Sequence, residues 1–399
     1  MEMTKKEFNK QQKAKMKEIK KFNAKMYKKY NKEKKMKNVP ESYYTTTMND
    51  ENNILEFNNL QTHFFTDTGT VKAVDGVSFS IPKGATVGVV GESGCGKSVT
   101  SLSIMRLLQG PQGQIVGGEI KFNCKNREKA IDITKLPLTE MQKIRGNEIS
   151  MIFQEPMSSL NPVFTIGDQL AEPIVLHNPK MKKDEVNTKV IDLLKLVGIA
   201  NPEGIVKRYP HELSGGMKQR VLIALSLILD PKVILLDEPT TALDVITQWY
   251  ILDLLRDIHE KLGVTLIFLT HDISVISGVV DRIAVMYAGE LVEYGDVVEV
   301  FNEPSHPYTK GLLNAIPTLY DDVTQRKAIP GNPPNLIQDF KECKFSPRCS
   351  IFMDGKCKAD RGKTRIMYSI NDNKCTRCYY FAEAFSGASL VGVTAEEGV

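Results

Sequence analysis

Residues 86–98 read TVGVVGESGCGKS, and the fold turns on what that stretch can form. TVGVV is a short apolar run of the kind a buried strand uses. GESGCGKS, residues 91–98, is a glycine-rich loop, and VTSLSIMRLL after it has helical apolar spacing. Strand, loop and helix in that order predict a phosphate-binding loop. Gly91, Gly94 and Gly96 let backbone amides turn inward around phosphates, Lys97 reaches the outer phosphates, and the Ser98 hydroxyl suits Mg²⁺. Glu92, Ser93, Cys95 and Val99 complete the segment expected to wrap the ligand, and the helix start adds its positive end.

A phosphate loop needs acids on a neighbouring strand. VILLDEP, residues 233–239, delivers Asp237 to a strand end, where it can hold the Mg²⁺ shell, with Glu238 next to it, able to polarise an attacking water. VTLIFLT, residues 264–270, ends in His271 and Asp272, which places an imidazole near the same phosphates if the strands are parallel. The octet LSGGMKQR, residues 213–220, brings one hydroxyl and two glycine amides, Ser214, Gly215 and Gly216, ahead of a helical segment. That is half of an anion site.

Composition bounds the rest. The 399 residues are 42% hydrophobic and 25% charged, which suits two or three globular domains. VLIALSLIL stops at Asp230, far short of the roughly 18 to 20 residues that span a bilayer. Without an apolar leader the seven cysteines are read in a reducing setting, where metal or redox chemistry outranks disulfides. Residues 1–38 hold fifteen lysines and four glutamates in a chain of net charge +4, so the body is mildly acidic. The tail reads as a solvated arm, disordered or loosely helical, open to anionic lipid or nucleic acid, with lipid favoured.

Taken together, GESGCGKS, LSGGMKQR, VILLDEP and His271 resemble the motif set of the ATP-binding-cassette family, in the family's order, over roughly residues 52–316. The resemblance implies an α/β P-loop NTPase fold with a RecA-like core, an antiparallel β subdomain and an inserted helical subdomain near residues 155–229. It implies ATP and Mg²⁺ as ligands and two cassettes meeting head to tail, so that Ser214, Gly215 and Gly216 serve the nucleotide of the partner. By the same resemblance Gln154 in MIFQEP senses Mg²⁺ and a membrane subunit, Asp244 in TALD is the D-loop acid and His271 the switch histidine. Phe64 in NNLQTHF matches the aromatic that stacks on adenine, with Phe65 as the alternative.

QEPMSSLNPVFTIGDQL, YPHELSGGMKQRV and DEPTTALDVITQ look like the oligopeptide and dipeptide permease ATPases, specifically their D-type subunit. HPYTKGLLNAIP, residues 306–317, looks like the start of that branch's C-terminal module, which nickel importers share. The expected domains are a basic extension over 1–48, a cassette over 49–305, the module over 306–385 and a tail over 386–399. Some branch members carry an iron-sulfur cluster, so Cys343, Cys349, Cys357 and Cys378 are candidate [4Fe-4S] ligands. Cys375 is a rival for the fourth place, and four thiolates also suit zinc or no metal at all. Cys124 is incidental, whereas Cys95 beside Lys97 at a helix start is expected to be reactive. The resemblance implies a peripheral subunit at the cytoplasmic face of the membrane, partnered by an F-type ATPase, two permease subunits and an extracellular peptide-binding protein. A soluble cassette protein acting on ribosomes or nucleic acid is the rival from another class. Such proteins usually carry two cassettes, and this chain shows one.

Overall fold

The chain's structure is a computed structural model and describes residues 5–36, 39–124, 127–154, 159–241, 243–316, 329–340, 342–352, 357 and 367–384. The expected tail over 386–399 and residues 155–158, at the entry to the expected helical subdomain, lie outside the described residues.

Helix α1 (Lys5–Lys34) comes first. It is built from Lys, Gln, Ala and Met, all good helix formers. β1 (Thr45–Thr46), β2 (Asn53–Thr66) and β3 (Gly69–Pro82) follow, then β4 (Thr86–Val90) and α2 (Lys97–Ile104). β5 (Gly113–Phe122), β6 (Ala130–Asp132) and β7 (Ile149–Ile152) precede a helical region. Its helices are Ile166–His177, Lys183–Leu196, Pro202–Ile205 and Gly215–Leu227. After it come β8 (Val233–Asp237), the helix Val245–Leu262, β9 (Thr265–Thr270), β10 (Arg282–Tyr287) and β11 (Glu290–Asp296). The C-terminal part holds the helix Pro307–Asn314, β12 (Tyr368–Asn371) and β13 (Lys374–Thr376).

Two sheets result. An antiparallel one has the order β1-β6-β5-β2-β3, and an eight-stranded one has the order β12-β13-β11-β10-β4-β9-β8-β7. Within the second, β10, β4, β9, β8 and β7 run parallel. Strands of a parallel sheet are buried on both faces, which is why β4, β8 and β9 are buried along their whole length and apolar except at their ends. Their side chains alternate between two cores. Val90, Ile234, Leu236, Leu266 and Phe268 join Leu170, Leu194 and Val221 of the helical region. Val87, Val89, Val233, Leu235, Ile267 and Leu269 join Phe57, Ile120 and Phe122 of the antiparallel sheet. The RecA-like sheet is thus clamped between the two subdomains, as the sequence implied.

Two features differ from the sequence reading. The lysine arm forms a continuous helix over Lys5–Lys34, and its second half is docked. Asn23 Nδ2 donates to the Thr66 carbonyl at 2.9 Å, Tyr27 Oη to that of Phe65 at 2.9 Å, and Phe22 meets the Phe65 ring edge-on at 5.8 Å. Ile19, Asn23, Met26, Tyr27 and Tyr30 make one helical stripe of reduced exposure. The C-terminal module, expected as a small irregular domain, instead adds strands to the main sheet. β13 pairs with β11 through Glu293↔Thr376 and Tyr294↔Cys375.

Candidate functional site

Register brings four strand ends together. Val90 lies opposite Thr270, Asp237 opposite Leu269 and Ile152 opposite Leu236. Gly91, Gln154, Glu238 and His271 therefore emerge from the same edge of the sheet, where ligands of open α/β sheets bind.

The loop's backbone demands its glycines. Gly91 has φ +152° and Gly96 φ +109°; a Cβ on the first would stand 2.2 Å from the Met286 carbonyl oxygen, on the second 2.4 Å from that of Ala73. Lys97 is buried, and its ammonium donates to the carbonyls of Gly91 (2.7 Å) and Glu92 (3.1 Å). Ser93 and Gly94 are exposed at the crest of the loop, and Val99 is half-buried. Cys95 is buried, and the reactive thiolate expected there is corrected: burial raises its pKa, and the nearby Lys97 offsets only part of that.

The Ser98 hydroxyl donates to Asp237 Oδ1 at 3.0 Å, which joins two hard oxygen donors of the kind Mg²⁺ prefers. Burial raises the Asp237 pKa against the pull of Ser98. Glu238 has φ +50°, an uncommon conformation held by the hydrogen bond its backbone N–H donates to the Leu269 carbonyl at 2.8 Å. Its carboxylate accepts from Gln154 Nε2 at 2.9 Å and Thr241 Oγ1 at 3.1 Å, and lies 2.8 Å from His271 Nδ1. Burial alone would raise the Glu238 pKa, but His271, Thr241 and Lys97 together hold it below the usual value. Gln154, Glu238 and His271, chosen separately from sequence, therefore meet at one carboxylate. Thr241 went unnoticed, although it stands in the same DEPTT stretch.

Ser214 caps the helix Gly215–Leu227 through the Met217 amide, and Ser214 and Gly215 are exposed. No described hydrogen bond joins Ser214–Gly216 to the chain's own phosphate loop. Gly216 instead adjoins Thr247, whose amide and hydroxyl both bond the Asp244 carboxylate, at 2.9 and 2.7 Å. Buried Gln219, inside the octet and also missed, donates to the Pro239 carbonyl at 2.8 Å and so ties this helix to the segment after Glu238. Phe64 is half-buried with its ring over Gly113, where a Cβ would stand 2.8 Å away. Phe65 is 1% exposed beneath α1, so it is core and not free to stack on a ligand.

The iron-sulfur expectation on Cys343, Cys349, Cys357 and Cys378 is corrected. Among the described residues no group of three or more His, Cys, Asp or Glu is placed to hold a metal. Burial, and to a lesser degree one another's nearness, raises these thiols, with Cys343 pushed up to about 12 and Cys378 up to about 11 and Cys349 raised as well. Cys375, the rival fourth ligand, is a β13 residue packed against the core and pushed up to about 12 by burial. All seven cysteines are free thiols.

Comparison with known proteins agrees with this geometry. The family model described as ABC transporter matches residues 74–241, and the one described as oligopeptide/dipeptide transporter, C-terminal region, matches residues 292–357. The oligopeptide transport ATP-binding protein AppD of Bacillus subtilis (strain 168) is 46% identical over 330 residues, covering 83% of this chain and 97% of its own length. The dipeptide transport ATP-binding protein DppD of the same organism is 48% identical over 296 residues, 74% of this chain and 86% of its own. Among solved structures, the dimeric cassette MJ0796 in a post-hydrolysis state bound to ADP and Pi is similar, with TM-score 0.53, 29% identity, and coverage of 61% of this chain and 98% of that one. The cbiO1 protein of Clostridium perfringens, part of the cbiONQ transporter complex, also has TM-score 0.53, at 30% identity and coverage of 63% and 92%.

Proposed function

The chain belongs to the ABC-transporter ATP-binding subunits of the oligopeptide/dipeptide family, and we propose that it hydrolyses ATP to energise the import of short peptides. Family membership implies permease subunits and an ATPase partner. In the finer reading the partner is a related F-type ATPase, the permease has two subunits, and an extracellular binding protein delivers the peptide. Among the described residues no helix is long and apolar enough to cross a membrane, in keeping with a subunit that docks peripherally on the cytoplasmic face.

The single observation that carries the reading is the convergence of Gln154, Thr241 and His271 on the Glu238 carboxylate. Loop amides and Lys97 bind the phosphates, and Phe64 is the candidate for the adenine. Ser98 and Asp237 would hold Mg²⁺, which when bound neutralises phosphate charge, and Gln154 is the further candidate ligand. Glu238, kept ionised by its partners, accepts a hydrogen bond from the attacking water and aligns it, while His271 fixes the carboxylate and can donate toward the γ-phosphate. The chemistry asks for positioning and charge neutralisation more than for covalent help. Ser214 and Gly215 face outward, as a half-site for the partner's nucleotide requires, with Gly216 beside them against Thr247 and Asp244 alongside.

Glu238→Gln keeps the shape of the site and removes the negative acceptor. Turnover of the assembled transporter is expected to fall by about a hundredfold or more, with ATP binding retained. Unchanged turnover would take Glu238 out of the mechanism.

A further inference from the structure

Arg348 is a buried cation 256 positions away from the phosphate loop, yet its guanidinium grips Glu92 with a two-pronged fork. Nη1 donates to Oε2 at 2.7 Å and Nη2 to Oε1 at 2.9 Å. The other donors are occupied too. Nε reaches the Pro330 carbonyl at 2.8 Å, Nη2 that of Ile329 at 3.4 Å, and Nη1 the Tyr287 hydroxyl at 3.4 Å. A buried guanidinium with every donor used is rigid and specific, and a lysine could not reproduce its geometry. Glu92 is held a second time by the same region, since its amide donates to the buried Tyr308 hydroxyl at 2.8 Å. Its carbonyl in turn accepts from Lys97 and from the Cys95 amide.

All three polar groups of one phosphate-loop residue are thus tied, two of them to the C-terminal module. The anchor matters for two physical reasons. The loop contains Gly91, Gly94 and Gly96, whose conformational freedom must be lost for the amides to face a ligand together, and a pre-ordered loop binds more tightly. The Glu92 carboxylate also borders a polyphosphate site, where an unpaired negative charge would repel the ligand.

We infer that Arg348 and Tyr308 are positioning residues for ATP binding, through which the C-terminal module sets the shape and charge of the phosphate loop. Tyr287, Tyr308 and Phe345 form the aromatic seat of this clamp, with ring centroids 4.6 to 5.5 Å apart.

The test uses the assembled transporter for kinetics and the full chain for binding of a fluorescent ATP analogue. Arg348→Ala is expected to raise the KM for ATP about tenfold and weaken analogue binding to match, with kcat at saturating ATP changed by less than about threefold. Tyr308→Phe shifts KM in the same direction by less. Glu92→Gln alone is mild, and adding it to Arg348→Ala recovers most of the lost affinity, because the unpaired charge is gone. Glu92→Gln could not repair damage done merely to the module's packing. Arg348→Lys, which keeps the charge and loses the fork, is expected to fall between wild type and Arg348→Ala, and serves if the alanine variant does not fold. An unchanged KM in folded Arg348→Ala or Arg348→Lys protein, or effects of Arg348→Ala and Glu92→Gln that simply multiply, would overturn the inference.

Discussion

Asp237 and Glu238 are neighbours whose surroundings push them in opposite directions. Burial raises the Asp237 pKa, so its ionised form is less favourable in the folded chain than in the unfolded one. That cost is present at neutral pH and disappears as pH falls through the raised value. Asp237→Asn is therefore expected to leave the nucleotide-free chain at least as thermally stable as wild type at pH 7 while abolishing hydrolysis, a trade between stability and function. A lowered Tm at pH 7 would contradict the burial argument. Glu238, held below the usual value, has the reverse sign: its contribution is present above the unfolded value of about 4.3 and is lost as pH falls through the folded one. An acid limb of kcat near neutrality would accordingly belong to another group. Cys95, buried and protonated, is expected to react with maleimide at pH 8 at least about tenfold more slowly in the folded chain than in urea, read by peptide mapping. Equal rates would place the thiol at the surface. Both acids were legible in sequence because a run of apolar residues announces a strand and the acids follow at its end. The burial of Cys95 was not, because it depends on Met286 and Gly289, far away in the chain, closing over the loop.

The helix α1 shows what composition conceals. Fifteen lysines read as a solvated arm, yet residues 19, 23, 26, 27 and 30 carry a docking stripe that the charge masked. The half before Ile19 is exposed wherever its side chains are described. Each lysine near an anionic leaflet contributes about 1 kcal/mol before screening, and contacts this exposed fade within a Debye length of about 8 Å at physiological salt. Removal of residues 1–18 is expected to weaken salt-sensitive binding of the full subunit to phosphatidylserine-containing vesicles, to leave neutral vesicles unaffected, and to keep ATP hydrolysis and Tm near wild type. Loss of RNA binding with vesicle binding unchanged would favour the nucleic-acid reading of the arm. By contrast Tyr27→Phe, which removes one bond to the Phe65 carbonyl, is expected to destabilise the chain by about 1 kcal/mol in urea unfolding, and no change would mean that the helix is not docked.

At the scale of the whole molecule, the parallel sheet was readable from three apolar runs, and their motifs converge because β4, β9 and β8 are adjacent. The C-terminal module was read as cysteine chemistry, whereas the structure makes it a sheet extension secured by buried cations. Lys344 donates to Asp75 at 3.0 Å and to the Ala288 carbonyl at 2.9 Å, and Arg377 to the Leu291 carbonyl at 2.8 Å. Arg377 also reaches the Gly76 carbonyl, 301 positions away, and no local pattern signals such pairs. Cysteines, by contrast, stand out in a sequence whatever they do. The central claim, that hydrolysis at Glu238 drives peptide movement, is tested most directly in proteoliposomes holding the subunit with its permease and ATPase partners and supplied with binding protein and a labelled oligopeptide. ATP on the side of the subunit is expected to drive peptide accumulation in the wild type, whereas Glu238→Gln binds ATP and accumulates none. Equal accumulation by the variant, or ATP hydrolysis by the wild type that moves no peptide, would contradict the account.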